Sequence, residues 1–287
     1  MASPTHPPTE SQGHPPDHPP APPAEADALR PRPFRMPRIV LALMLREMAT
    51  SYGRSPGGYL WAVVIPLGGV MMLTLIMSVG LQLRNPSLGI NFPFFYATGL
   101  LTLMLYQNVA TVVGTALTYS RPLLRYPGIT FVDALLARLI LQAITKAVVM
   151  YLILGGMILL FETRTILDLP AILLAFAMAT AVGFGVGCLN GYLFPVYPLW
   201  ERAWGILTFP MFLLSGVFFV YEDLPRLGQQ ILWFNPILHA TGQMRAGFYP
   251  TYHPDYISAA YVFGFALVPA VLGLMLLRRH HKWILNR

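Results

Sequence analysis

The sequence predicts an all-α integral membrane protein with six transmembrane helices. Three observations carry that prediction. Charged residues make up 11% of the 287 residues and hydrophobic residues 55%, whereas a soluble globular chain carries roughly 25% charge. Six stretches contain no Asp, Glu, Lys or Arg, and each holds, with some extension of the third, the roughly 20 residues that a spanning helix needs. The alternating pattern of a membrane β-strand is absent, which leaves helices as the spanning solution. The mean hydropathy of +0.57 agrees.

The chain opens on a proline-rich tail, residues 1–33, with almost no large apolar side chain. Such a stretch cannot bury enough surface to offset its ordering entropy and is expected to be disordered. It has no apolar core of a signal peptide, so the N-terminus is expected to stay in the cytoplasm. His6, His14 and His18 are read as solvated rather than as metal ligands. Residues 34–55 then interleave Ile39, Leu41, Leu43 and Leu45 with Arg35, Arg38, Arg46 and Glu47. The run is too short to span, and an amphipathic helix lying in the membrane interface fits it. Arg38, Arg46 and Arg54 either fix orientation as a basic flank or meet lipid phosphates.

The remaining residues, 56–287, form the membrane domain. Spans are expected at about 59–83, 94–118, 139–161, 171–194, 203–220 and 257–277. Six spans put both termini on one side. Fourteen Lys and Arg residues flank the spans on that side and four on the other, which places both termini in the cytoplasm by the positive-inside rule. The net charge of +7 and pI of about 9.7 therefore point to an anionic membrane surface, not to nucleic acid. The single cysteine, Cys188, excludes an intrachain disulfide and a cysteine metal cluster.

The second cytoplasmic loop, 120–138, carries Arg121, Leu124, Arg125, Tyr126, Asp133 and Arg138. It reads either as a short amphipathic element that docks on a soluble partner or as a solvated connection. The fourth span contains Gly183, Gly187 and Gly191 at four-residue spacing, a face on which helix backbones approach closely, most simply within one chain. Residues 221–256 hold two apolar halves, 224–234 and 237–248, broken by Pro225, Asn235-Pro236 and Pro250. Neither half spans, so a re-entrant or interfacial helical hairpin is expected. It acts as an external gate or as an interfacial cap anchored by Trp233 and Tyr249. Aromatic residues in and near the spans include Trp61, Tyr106, Trp200, Trp204, Phe209, Phe212, Phe218, Phe219 and Tyr221. Their ring faces suit either sugar C–H surfaces or lipid and ordinary packing.

Several chemistries are missing. Neither lysine, Lys146 or Lys282, closes a P-loop, and no zinc-protease or serine-hydrolase motif occurs. Lys146 is the one ionisable residue inside a span, too few for an ion relay. His239, Glu222, Asp223 and Asp255 are loose acid and base candidates without catalytic spacing, so a membrane-embedded glycosyl- or acyltransferase is the rival of another class.

Residues 44–66, MLREMATSYGRSPGGYLWAVVIP, resemble the N-terminal segment of type-2 ABC exporter permeases, through Leu45, Arg46, Glu47, Tyr52, Arg54, Ser55, Gly58, Trp61 and Pro66. LLSGVFFVYEDLP and NPILHATGQMR resemble that family's fifth span and hairpin, through Ser215, Gly216, Pro225, Asn235, Pro236, His239 and Arg245. The resemblance covers about residues 35–287, and the capsular polysaccharide exporters fit better than the O-antigen or teichoic-acid types. It implies a homodimeric permease in the inner membrane with two copies of a separate ATPase, which would hold ATP and Mg. This chain itself would carry no cofactor, metal or catalytic residue. The lipid-linked glycan would meet Arg38, Arg46 and Arg54 at the inner leaflet and pass Trp61, Tyr106, Phe209, Phe212, Ser215, Phe219 and Tyr221. The ATPase would push on 120–138, and a periplasmic co-polymerase or adaptor would receive the chain. A permease for a small lipid or drug is the rival within the class.

Overall fold

A computed structural model describes residues 35–52, 57–82, 85–124, 128–161 and 165–286. The expected disordered tail, 1–33, and Arg54, Arg125 and Tyr126 lie outside the described residues. Among the described residues ten α-helices follow in order: α1 Arg35–Tyr52, α2 Gly58–Leu75, α3 Phe92–Gly114, α4 Ala116–Tyr119, α5 Phe131–Leu160, α6 Leu169–Val196, α7 Pro198–Leu214, α8 Arg226–Leu232, α9 Pro236–Phe248 and α10 Ala259–Asn286. No strand occurs among the described residues.

The core is built on α3 and α6. Most of α3 is buried, including Phe94, Phe95, Leu103, Tyr106 and Val109, and α6 packs along α3 on one side and α10 on the other. Glycine sets both contacts. A Cβ on Gly183 or Gly187 would come within 2.9 Å of Val109 Cβ or 2.7 Å of Val113 Cβ on α3. On the other face, a Cβ on Gly185 would overlap the Ala266 carbonyl, and one on Gly273 of α10 would overlap the Cys188 backbone. The four-residue glycine spacing thus packs within the chain, by the close backbone approach that small residues allow between membrane helices.

Among the described residues five helical stretches are long and apolar enough to cross a membrane: Gly58–Gly80, Phe92–Gly114, Phe131–Leu160, Leu169–Val196 and Ala259–His281. They fall on five of the six expected spans. The first continues α2 through a π-helical turn, Ile76–Gly80, and contains Pro66. The third starts eight residues before the expected 139. Thr130 and Asp133 form a capping box there: the Thr130 hydroxyl accepts from Asp133 N at 3.2 Å, and Asp133 Oδ2 accepts from Thr130 N at 2.8 Å. This satisfies first-turn donors that would otherwise be orphaned.

The expected fifth span, 203–220, is not one helix. It ends at Leu214, giving α7 17 residues, about 26 Å at 1.5 Å per residue. The chain then turns at Gly216, whose φ of +75° is left-handed and costs an L side chain strain. A Cβ there would also come within 2.5 Å of Leu238 Cδ1. Residues 217–220 run on without helical hydrogen bonds to a short 3₁₀ turn, Tyr221–Asp223. The expected hairpin follows as α8 and α9, broken at Asn235-Pro236.

Candidate functional site

Two polar constructions stand at opposite ends of the bundle. At the α1 end, Arg138 of α5 points inward. Its Nε donates to Glu47 Oε1 and Oε2 of α1 at 2.9 and 3.2 Å. Its Nη1 donates to the Val112 carbonyl at 2.9 Å and to Thr115 Oγ1 at 3.0 Å. The guanidinium lies 4.1 Å from the centre of the Tyr119 ring, and the Tyr119 hydroxyl lies 2.8 Å from Thr50 Oγ1 of α1. α1 is thus tied to the ends of α3 and α5 by one cation whose side chain is 8% exposed. A buried ion pair persists only where further hydrogen bonds satisfy its remaining donors.

Within 120–138, two of the charged residues are engaged inside the chain. Asp133 is spent on the capping box and Arg138 on Glu47, and both are buried. Arg121 and Leu124 are half-buried in the turn before α5, where Leu123 N and Leu124 N donate to the Ser120 carbonyl. Arg38 and Arg46 are exposed on α1. Arg46 borders a notch of about 10 Å³ beside Glu47, Tyr119 and Arg138, too small for a ligand.

At the other end, α9 repairs the backbone that α7 leaves open. Asn235 Nδ2 donates to the Leu214 carbonyl at 2.9 Å. Thr241 Oγ1 donates to the Ser215 carbonyl at 2.8 Å. Arg245 Nη2 donates to the Val217 carbonyl at 3.0 Å and Nη1 to the Phe219 carbonyl at 2.7 Å. Unpaired carbonyls are costly away from water, so an irregular segment at membrane depth needs such partners. Arg245 is 2% exposed and lies 4.0 Å from the centre of the Phe95 ring, and its Nε has no partner among the described residues. Gly99 of α3 makes room: a Cβ there would sit 3.1 Å from both Arg245 Nη2 and Val217 Cα. Ser215, Asn235 and Arg245, read from sequence as channel or gate residues, are joined in this one scaffold. Pro236 starts α9 and is buried, while Pro225 is exposed before α8.

His239 is buried at the centre of a ring cluster with Trp233, Tyr256 and Tyr261. Its Nδ1 accepts from Ser258 N at 3.2 Å, which assigns the proton to Nε2, 2.7 Å from the Trp233 carbonyl. Burial lowers its pKa below the usual histidine value, against the opposing hydrogen bond to Trp233. Tyr221 stacks on Tyr256 with centroids 4.0 Å apart, and Tyr252 donates to Glu222 Oε2 at 3.0 Å. Burial, then the neighbouring Tyr256 and the Glu222 charge, push the Tyr252 hydroxyl far up, so it stays a donor.

The remaining aromatic candidates separate. Trp61 on α2 and Phe209 on α7 are exposed, at 54% and 66%. Phe212 is half-buried and packs edge-on to Phe218, with centroids 5.0 Å apart. Phe219 and Tyr221 are half-buried. Tyr106 and Ser215 are buried, with the Tyr106 hydroxyl on Met211 Sδ at 3.7 Å and the Ser215 hydroxyl on the Phe212 carbonyl at 2.8 Å. Ser215 packs inside the chain, whereas Tyr106 also borders an apolar cavity of about 520 Å³ together with Trp200, Trp204, Met211 and Phe265.

Sequence reasoning missed the Arg138–Glu47 pair and the joint repair by Asn235, Thr241 and Arg245. One signal was available: Thr130-x-x-Asp133 ahead of an apolar run is a helix start, and it puts Arg138 two turns inside α5.

Among curated proteins, the chain is 27% identical to the capsule polysaccharide export inner-membrane protein CtrC of Neisseria meningitidis, over 86% of this chain and 92% of that one. It is 25% identical to the polysialic acid transport protein KpsM of Escherichia coli, over 88% and 98%. It is also 25% identical to the capsule polysaccharide export inner-membrane protein BexB of Haemophilus influenzae, over 86% and 92%. The family described as ABC-2 type transporter matches residues 39–249, a stretch that runs from α1 through both polar constructions to the end of α9. With five apolar helices around that stretch, the chain belongs to the ABC-2 type transporter family of membrane permeases.

Proposed function

We propose that this chain is the inner-membrane subunit of an ATP-driven exporter of lipid-linked capsular polysaccharide. The observation that carries the reading is near full-length similarity to three relatives named for capsule polysaccharide export or polysialic acid transport, on a chain whose two lysines close no P-loop. An ABC-2 permease works with a separate ATPase, and the exporter reading takes two copies of it on a homodimer of this chain. The exposed apolar faces of α2 (Leu60, Trp61, Ile65) and α7 (Ile206, Phe209, Leu213) are assigned to the partner permease and the glycan passage between the protomers. α7 with 215–220 serves as the sixth crossing. Both termini then face the cytoplasm, with α1 in the inner interface, where Arg38, Arg46 and Arg54 meet the lipid phosphate. The ATPase engages the surface around Arg121, Leu124, Arg125 and Tyr126. α8 and α9 close the outer end, and a periplasmic adaptor takes the chain onward.

The test is purification of the tagged protein in mild detergent. A P-loop ATPase at one copy per permease chain, with hydrolysis that depends on this chain, is the expected result, and bound glycolipid fixes the substrate class. A chain that comes out alone, without stimulated hydrolysis, rejects the exporter. Arg46→Ala is expected to lower export with insertion intact, and normal export by that variant removes Arg46 from the lipid-phosphate role.

A further inference from the structure

A second cavity lies at the α9 end, outside both constructions. Its volume is about 440 Å³, within the roughly 300–1,000 Å³ of small-molecule sites. Its polar lining is Asp168, Gln243, Tyr252, His253 and Asp255. The frame is fixed by backbone contacts. Asp168 N donates to the Gly247 carbonyl at 2.9 Å and Tyr252 N to the Tyr249 carbonyl at 3.0 Å. Gly247 packs so closely on α6 that a Cβ would lie 2.5 Å from Ile172 Cγ1.

The free groups define the ligand. Asp168 uses Oδ1 to cap α6 through Ala171 N at 3.2 Å. The side chains of Gln243, His253 and Asp255 make no hydrogen bond or ion pair with another described residue. The cavity therefore offers carboxylate acceptors, an amide that donates and accepts, and an imidazole, beside the ring of Tyr252. Hydroxyl groups both donate and accept, so a polyol satisfies this mixed set, and the flat aromatic surface suits a sugar ring. No Lys or Arg is among the described lining residues, so two carboxylates would repel a sugar acid or phosphate. No group of three metal-ligating side chains occurs among the described residues, which speaks against a cation. The concave form fits a small unit rather than a flat protein surface.

We infer that this cavity is a glycan subsite for a neutral, hydroxyl-rich sugar unit at the outer end of the permease. The inference rests on the exporter reading for the origin of the glycan. A sugar there touches Tyr252, whose hydroxyl holds Glu222 in the turn after the segment that Arg245 pins, so the subsite adjoins the outer closure.

The experiment uses the full chain with its ATPase in nanodiscs, with a set of neutral oligosaccharides and a sialic acid oligomer as probes, read by saturation-transfer NMR and calorimetry. Saturable binding of a neutral oligosaccharide is expected, weakened about tenfold by Gln243→Ala or Asp255→Asn, with no binding of the sialic acid oligomer. Both side chains lie outside the core, so the variants fold. Failure of every neutral probe, wild-type binding by both variants, or tighter binding of the sialic acid oligomer overturns the subsite. Variants that bind glycan normally and lose a co-purifying protein instead make the cavity a protein-docking surface and overturn it too. ATPase co-purification and hydrolysis in the wild-type sample read the exporter separately, so the two ideas fail independently.

Discussion

Arg138 and Glu47, 91 residues apart in the chain, meet through two hydrogen bonds of 2.9 and 3.2 Å from one guanidinium nitrogen. The pair makes α1 part of the bundle. Its Coulomb attraction alone would not offset the desolvation of both groups, but the Val112 carbonyl and Thr115 hydroxyl take up the other donors.

Removing one partner leaves an uncompensated charge. Glu47→Ala is therefore expected to cost about 3–5 kcal/mol and to free α1 from the bundle, while Glu47→Gln with Arg138→Gln costs less than either single change. Thermal unfolding in detergent and limited proteolysis at α1 check this. Equal losses in the single and double variants would mean that the pair does not couple α1 to α5.

Arg245 is expected to hold 217–220 against α9. Arg245→Met leaves the Val217 and Phe219 carbonyls unpaired, at about 1–3 kcal/mol each. Arg245→Lys keeps the charge but lacks the fork that reaches two carbonyls. In a Cys188→Ala background, Phe219→Cys should label with a water-soluble maleimide several-fold faster once Arg245→Met is added, and at an intermediate rate with Arg245→Lys. An unchanged labelling rate assigns the segment's position to some other contact.

The glycines of this chain divide by what surrounds them. Gly183→Leu and Gly187→Leu drive side chains into Val109 and Val113 of α3, and each should cost more than about 2 kcal/mol or prevent folding. Gly155 and Gly156 of α5 have nothing within 4 Å of an added Cβ, so Gly155→Ala should be neutral or stabilising by up to about 1 kcal/mol. Size-exclusion profiles and melting temperatures of the purified variants separate the two classes.

The contrast shows where the sequence was legible. Charge-free windows located the five helices long and apolar enough to span among the described residues, because burying a charge in hydrocarbon is costly enough to punctuate the pattern. In the fifth window the helix stops at Leu214, since apolarity alone does not tell a helix from an irregular segment whose carbonyls are satisfied from elsewhere. The partners Asn235, Thr241 and Arg245 lie 21, 26 and 26–28 residues from the carbonyls they serve, beyond any local pattern. The same blindness hid the partner of Arg138: a charge near a span end reads as solvated until its partner, far off in sequence, is known. Ser215, Asn235 and Arg245 were singled out by resemblance, and the structure supplies the physical reason that those residue types occur together.

His239 makes the α9 end of the bundle sensitive to acid. Its Nδ1 accepts from Ser258 N and its Nε2 faces the Trp233 carbonyl, so the neutral ring satisfies both bonds, and a second proton would set two donors against each other. The rings packed on it, Trp233, Tyr256 and Tyr261, carry no charge to compensate. The folded chain therefore holds the proton less tightly than the unfolded chain, whose histidine titrates near 6.5. Stability from this group is complete above that value and declines as pH falls below it, because the unfolded state then binds more protons. Melting temperature should drop between about pH 6.5 and 5 in the wild type and drop less in His239→Gln, which starts from a lower value. The same slope in both proteins would place the acid sensitivity in another group.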